Sequence, residues 1–359
     1  MQNPTQRKAI KKLTALTIIV LLAAALTIYA AAIGFSVRPV LPENQRENGN
    51  AFFDLLVYPG EQQDLIVNVS NTFDEEITVF VEVVTASTSR YGEIDYTDRG
   101  GTMDETLAYS FEDIAQVEIE NITIPIEQNI DIPIKLTIHN EPFDGMILGA
   151  IRILREPTET EIAESGAITN QYAFAIAVRL VQDENAENIP AEFILTGVRP
   201  ELVYSRANII ATIRNPQPKI IRGAGVSANI YPINSDTAVF EYDSETFDMA
   251  PNSVFDLSFI DTERRGLTAG DYTAIIEITY GGETWNFTEN FTIDEQTAEE
   301  INEGADLAEQ PASFWDSIPL WAIIGIGAVL LVLIAIIILI IVISRKGKRQ
   351  SAKPPEQTK

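Results

Sequence analysis

The sequence predicts an all-β ectodomain, two tandem Ig-like β-sandwiches, carried on one C-terminal transmembrane α-helix. Three observations lead there. Period-two alternation of apolar and polar residues recurs through most of the chain; residues 320–343 contain no charged side chain; and Arg345, Lys346, Lys348 and Arg349 follow that run at once. Alternation marks strands that bury one face. A helix over the 24 residues 320–343 rises about 36 Å at about 1.5 Å per residue, enough for a hydrocarbon core of about 30 Å. Basic residues on its C-terminal side belong in the cytoplasm, and Trp315 and Trp321 fall where an outer aromatic belt would lie.

At the other end, Arg7, Lys8, Lys11 and Lys12 precede the apolar run 13–33, which closes on Ala30, Ala31 and Ala32. This pattern reads as a signal peptide over 1–32. The run is long for that purpose, so an uncleaved second membrane helix stays open as an alternative; both leave the intervening chain outside the cell.

The chain holds 52 acidic and 25 basic residues. Setting aside the four basic residues of the N-terminal flank and the six basic and one acidic residues of the tail 344–359 leaves 51 acidic against 15 basic outside, a net charge of −36. Such a field repels nucleic acid, anionic lipid and polyanionic wall polymers, and favours protein or neutral glycan partners. Cysteine is absent. That removes disulfides, thiolate metal sites and cysteine nucleophiles, and suits an exported protein of a Gram-positive cell envelope.

Within the ectodomain, Leu65, Val67 and Val69 form one apolar face; Ile77, Val79, Val81 and Val83 another; and Ile130, Ile132, Ile134, Leu136 and Ile138 a third, with Pro133 suggesting an edge strand. Runs at 146–154 and 171–181 follow. Seven or eight short strands over about 150 residues are most economically an Ig-like sandwich, set at 33–183. The polar stretch 155–170 reads as a hairpin loop inside it, although a domain boundary at 157–170 is the alternative. A second sandwich, 184–293, gathers the alternating runs from Phe193 onward and closes through Gly281-Gly282, a hairpin signal between alternating strands. Residues 294–317, with eight acidic side chains and no basic one, read as a solvated stalk with one frayed helical stretch. As a coil it would span about 25–30 Å.

Ordered catalytic motifs are missing: there is no His-Glu-x-x-His helix, no Gly-x-Ser-x-Gly elbow and no phosphate loop. The lone histidine, His139, reads as an exposed strand-end residue. Asp183, Glu184 and Glu187 make a carboxylate-rich loop without the spacing of a calcium site. The chain is therefore expected to be no enzyme and to need no cofactor or metal; the alternative is a wall carbohydrate-active enzyme using paired carboxylates.

Two kinds of segment could carry binding. Tyr91, Asp95 and Tyr96 in RYGEIDYT place aromatic rings beside a carboxylate, as a glycan platform requires. In IRNPQPKII and MAPNSVFDL, Asn215, Gln217 and Asn252 sit beside prolines between strands. Such rigid turns also suit a binding surface at a sandwich end.

The same segments carry a family resemblance. FSVRPVLPENQ at 35–45, FFDLLVYPGEQQDLIVNVSN at 52–71 and YGEIDYT at 91–97 are similar to the first domain of the WxL-interacting protein family. NQYAFAIAVRL at 170–180, IRNPQPKII, MAPNSVFDL, AGDYTA and WNF resemble its second domain. The resemblance implies a Gram-positive, single-pass cell-membrane protein with its C-terminus inside. It implies a peptidoglycan-binding first domain and a host-binding second domain, with WxL-domain surface proteins, peptidoglycan and host extracellular matrix proteins as partners. The chain departs from the family pattern at Gly149-Ala150, where Gly-Gly is expected.

Overall fold

Alternation becomes burial as the sequence requires. In the computed structural model, which describes residues 34–46, 51–97, 101–157, 161–162 and 171–307, strand β9 (Asn129–Thr137) buries Ile132, Ile134 and Leu136 and exposes Asp131, Lys135 and Thr137. Strand β3 (Gln62–Asn71) buries Leu65, Val67 and Val69. Side chains of successive residues point to opposite faces, so each such strand has one face to cover.

The first pair of sheets covers these faces. One sheet has the order β1 (Phe35–Val40), β3, β9, β7 (Ala115–Val117); the other runs β2 (Phe53–Leu56), β11 (Tyr172–Val181), β10 (Met146–Arg155), β4 (Ile77–Thr85), β8 (Asn121–Ile124). Phe53, Leu55, Val79, Ile151 and Val178 from the second sheet meet Leu65, Val67 and Ile134 from the first in one core. β11 pairs with β10 along ten residues and with β2 in parallel, so the strand after the polar 155–170 stretch lies inside this sandwich.

Pro133 does not mark an edge strand, since β9 lies between β3 and β7. The reason proline is accommodated is the brevity of β7: its pairing with β9 covers only Ile134 to Leu136. At Pro133 that side of the strand has no partner in β7, and the missing N–H breaks no ladder.

A short helix, α1 (Phe111–Ile114), is closed by a capping box between Ser110 and Asp113 and drives Phe111 into this core. Phe111 lies against Gly149, where an added methyl would come within 2.3–2.5 Å of ring and Cβ atoms. The departure at Ala150 therefore spares the close contact, which Gly149 makes. Gly149→Ala is expected to lower stability by about 1–3 kcal/mol through overpacking, read as a lower urea midpoint with unchanged slope; an unchanged midpoint would refute it.

The second pair has the orders β12 (Ile194–Val203), β13 (Arg206–Asn215), β16 (Ser253–Ile260) and β15 (Phe240–Met249), β14 (Ile221–Pro232), β17 (Gly270–Tyr280), β18 (Glu283–Ile293). Ile209, Ile213, Phe255, Ile276 and Ile278 build its core. Gly281 and Gly282, both with positive φ (60° and 87°), make the two-residue turn of the β17–β18 hairpin. Trp285 packs edge-on against Phe193 at 5.0 Å.

Two expectations need correction. The solvated stalk does not begin at Asp294: helix α2 (Glu295–Gly304) starts there, capped by the Asp294 side chain, which accepts from the Thr297 N–H. Ala298 and Ile301 are buried in the second core, and the Asn302 amide bonds the Leu267 backbone in both directions at 2.8 Å. Few apolar residues suffice when they recur three apart and the cap and the Asn302 dock hold the helix in place. His139, in turn, is half-buried, its ring stacked on Tyr109 with centroids 4.1 Å apart.

Among the described residues no helix is long and apolar enough to cross a membrane. The apolar runs 13–33 and 320–343, the segment 1–32 expected to be a signal peptide and the tail 344–359 lie outside the described residues.

Candidate functional site

The two sandwiches belong to one compact unit that ends at Asp306, and the segments that join them are also those singled out by sequence. Two excursions of the first sandwich reach the second: the hairpin of β5 (Ser87–Thr88) and β6 (Ile94–Asp95), and the stretch 102–107. The buried Thr88 hydroxyl lies 2.6 Å from that of Ser253 and accepts the Ala250 N–H at 3.0 Å. The Asp248 N–H donates to the Gly92 carbonyl at 2.7 Å, the Val254 N–H to Thr102 at 3.0 Å, and the Asp104 N–H to Asn252 at 2.8 Å. Apolar contact fills the space between, with Ala86, Leu148 and Ala250 buried beside Ile94, Tyr96 and Ile220.

Asp104 is the electrostatic centre of this junction. Its side chain has no solvent exposure and takes the Nε and Nη2 donors of Arg214, while Arg214 also reaches Glu105 at 2.8 Å. Burial by itself would raise the Asp104 carboxyl; the bonds from Arg214 and Thr106 outweigh it and hold the group below the usual carboxylate range. The bonds to Asp104 and Glu105 push the Arg214 guanidinium up.

Around this junction the six sequence candidates separate. Asn215 is fully buried, with both amide hydrogens on the Lys219 and Ala250 carbonyls and its oxygen accepting the Gln217 N–H. It is a strut of the turn, with no group left to offer a ligand. Asn252, held at φ 45°, donates to Thr106 Oγ1 and the Pro216 carbonyl at 2.9 Å. With Gln217, Tyr109 and Phe143 it lines a cleft of about 580 Å³ between the sandwiches. Gln217 itself donates to Glu192 at 2.6 Å.

Tyr91, Asp95 and Tyr96 do not form one platform. Asp95 accepts from the Thr97 N–H and hydroxyl. Tyr96 turns inward to a second cleft, of about 360 Å³, with Arg179, Lys219, Arg222 and Tyr280. Burial pushes the Tyr96 phenol up, against the pull of Arg222 and Arg179. Tyr91 stands at the hairpin tip and is 73 % exposed.

The residue that sequence reasoning missed is Tyr204. It stands at the tip of the β12–β13 hairpin, 76 % exposed, and its phenol is near enough to raise the Tyr91 pKa. Arg90 lies over the Tyr204 ring, 5.9 Å from its centroid, and 3.7 Å from Glu201. No turn signal betrays the position: Tyr-Ser replaces the Gly or Asn that announces a two-residue hairpin.

The carboxylates of the 183–187 loop do not converge. Asp183 accepts from Asn185, and Glu187 pairs with Arg179 at 2.7 Å. Arg179 also binds the fully buried Asp54.

Comparison with known families gives this junction its context. Residues 35–155 match the model described as the WxL Interacting Protein peptidoglycan binding domain, and residues 163–303 match that of the WxL Interacting Protein host binding domain. The chain belongs to the WxL-interacting protein family. The matched segments abut between β10 and β11, although these strands pair side by side in one sheet. The host-binding match therefore includes one strand of the sandwich that holds the peptidoglycan-binding match.

No curated protein matches the chain. Among solved structures it is similar to the CsuC–CsuE chaperone–tip adhesion subunit complex of Acinetobacter baumannii, with 11 % identity over 71 % of this chain and 97 % of that one and a TM-score of 0.32. Similar too are the Pseudomonas aeruginosa CupB2 chaperone (13 %, 66 % and 96 %, TM-score 0.27) and the E. coli chaperone DraB (16 %, 72 % and 98 %, TM-score 0.26). Likeness at this level assigns no function.

Proposed function

We propose that this WxL-interacting protein is a non-enzymatic surface scaffold, anchored in the membrane by a helix over 320–343, that binds peptidoglycan and WxL-domain wall proteins and offers its second domain to host ligands. Both sandwiches are taken as Ig-like, with domains at 33–183 and 184–293, the second extended by α2. The supporting observation is the junction: two segments matching binding domains are locked together by the buried Asp104–Arg214 pair, by the Thr88 hydroxyl and by backbone bonds at Gly92, Thr102 and Asp104. A joint of this kind suits a platform that holds two partners in fixed relation, because neither excursion can leave without exposing unpaired buried groups.

The net charge of −36 outside the membrane favours neutral glycan or protein over wall polyanions. Gln217, Asn252 and Tyr96 line the two clefts of the junction and are the proposed contacts there. The full chain in detergent, used as bait in wall extracts, is expected to retain both WxL-domain proteins and peptidoglycan fragments. Recovery of neither would defeat the proposal.

A further inference from the structure

Tyr204 and Ser205 are the two central residues of the β12–β13 turn, with Val203 opposite Arg206, and both have positive φ (49° and 57°). Such turns ask for Gly, Asn or Asp, because a bulky L-residue there meets its own backbone. The same sandwich builds its β17–β18 turn from Gly281-Gly282. A left-handed tyrosine is thus kept at a cost in stability where the fold elsewhere uses glycine, and strain of this kind gathers at functional positions.

What the strained turn holds out is an aromatic surface. Tyr204 and Tyr91 are the two most exposed large hydrophobic side chains among the described residues. They come from different sandwiches, and their hairpins meet where Arg90, the neighbour of Tyr91 in sequence, lies over the Tyr204 ring and beside Glu201. Gly92 fixes the Tyr91 hairpin: its φ is +68°, its carbonyl takes the Asp248 N–H, and a methyl there would stand 2.6 Å from Phe247 Cβ. Arg90 and Glu201 lie at the rim as an ion pair.

We propose that Tyr91 and Tyr204 form a stacking platform for the pyranose rings of an uncharged or weakly charged glycan strand, with Arg90 and Glu201 bonding its hydroxyl and acetamido groups. The C–H bonds on a sugar face meet the negative face of a phenol ring well. Two tyrosines present roughly 300–500 Å² at most, short of the roughly 800 Å² per partner of a stable protein interface and sufficient for one or two sugar rings. A sugar without charge also meets no penalty from the acidic surface. The proposal rests on the peptidoglycan reading above and adds that the second domain supplies half of the platform.

The test measures binding of the full chain in detergent to chitin oligosaccharides, whose N-acetylglucosamine rings carry no charge, and in parallel to peptidoglycan strands that keep their stem peptides. Tyr91→Ala is expected to weaken binding to both tenfold or more. The double variant Tyr204→Asn, Ser205→Gly carries the residues the turn prefers; its melting temperature should rise while binding falls tenfold or more, which separates loss of the platform from loss of fold. Equal binding by parent and variants would overturn the platform and leave the scaffold reading standing. Binding that requires the stem peptides would also overturn it. A parent chain that binds neither kind of strand would overturn both.

Discussion

Asp104→Ala is expected to cost about 2–4 kcal/mol and to split a single unfolding transition into two. The carboxylate is wholly inaccessible and takes two donors from Arg214, a partner whose own side chain is 21 % exposed. Breaking a buried pair from one side costs about 3–5 kcal/mol when the surviving charge stays buried; here water and Glu105 can reach Arg214, which sets the lower figure. Because the pair joins the sandwiches, its loss should fall on their coupling. Two domains that no longer share a junction unfold separately. Thermal and urea denaturation of the full chain would show this, and a single transition within about 0.5 kcal/mol of the parent, the ordinary scatter of surface substitutions, would refute it.

The same substitution has a signature in pH. The folded-state pKa of Asp104 lies below the ordinary carboxylate value, despite the opposing effect of burial, because Arg214 and Thr106 bond its charged form. A depressed carboxyl stabilises the fold fully above the unfolded pKa, about 3.9, and loses that contribution as pH falls through the folded pKa. The gap between parent and Asp104→Ala should therefore be constant above about pH 5 and shrink progressively below about pH 4. A gap that widens on acidification would place its origin elsewhere.

The strands were legible because burial is local in period: Ile132, Ile134 and Leu136 announce their own inward face, and Gly281-Gly282 its own turn. The junction was not, because it depends on which distant loop meets which. Nothing in the spacing of Asp104 and Arg214, 110 residues apart, signals that they pair. Asn215 and Asn252 drew notice for the right local reason, a side chain bonding nearby backbone, but only the fold tells a strut from a surface. Tyr204 was hidden by the strain that makes it notable, since a turn built against preference leaves no turn signal. A helical stretch in 294–317 was legible, but its docking was hidden by the acidic face of α2, which outweighs Ala298 and Ile301 in composition while leaving them free to be buried.

Arg155 offers the other large expected effect, at the place where the two matched domains abut. It ends β10, is 1 % exposed, and is the largest fully buried side chain among the described residues. Its guanidinium lies 4.9 Å from the Phe73 ring centroid, 5.4 Å from that of Tyr172 and 6.0 Å from that of Phe35, and it binds Glu161 with two bonds at 2.7 and 2.8 Å. Truncation to alanine empties an aromatic box and strips Glu161 of this partner, a loss of about 3–5 kcal/mol. Arg155→Lys keeps charge but not the fork, and should lose about 1–2 kcal/mol. Arg155→Met fills the box without charge. Since the Arg155 Nε has no hydrogen-bond partner among the described residues and a well-packed apolar side chain can replace a buried ion at little cost, it should fall closer to the parent than alanine does. That order, with alanine lowest, can be read from urea midpoints of the full chain. Alanine at or above methionine would mean that the aromatic cage collapses around the gap and that Arg155 contributes no packing. The expected order instead makes this arginine the pin that holds Glu161 against the first core, where the chain passes from one matched domain to the other.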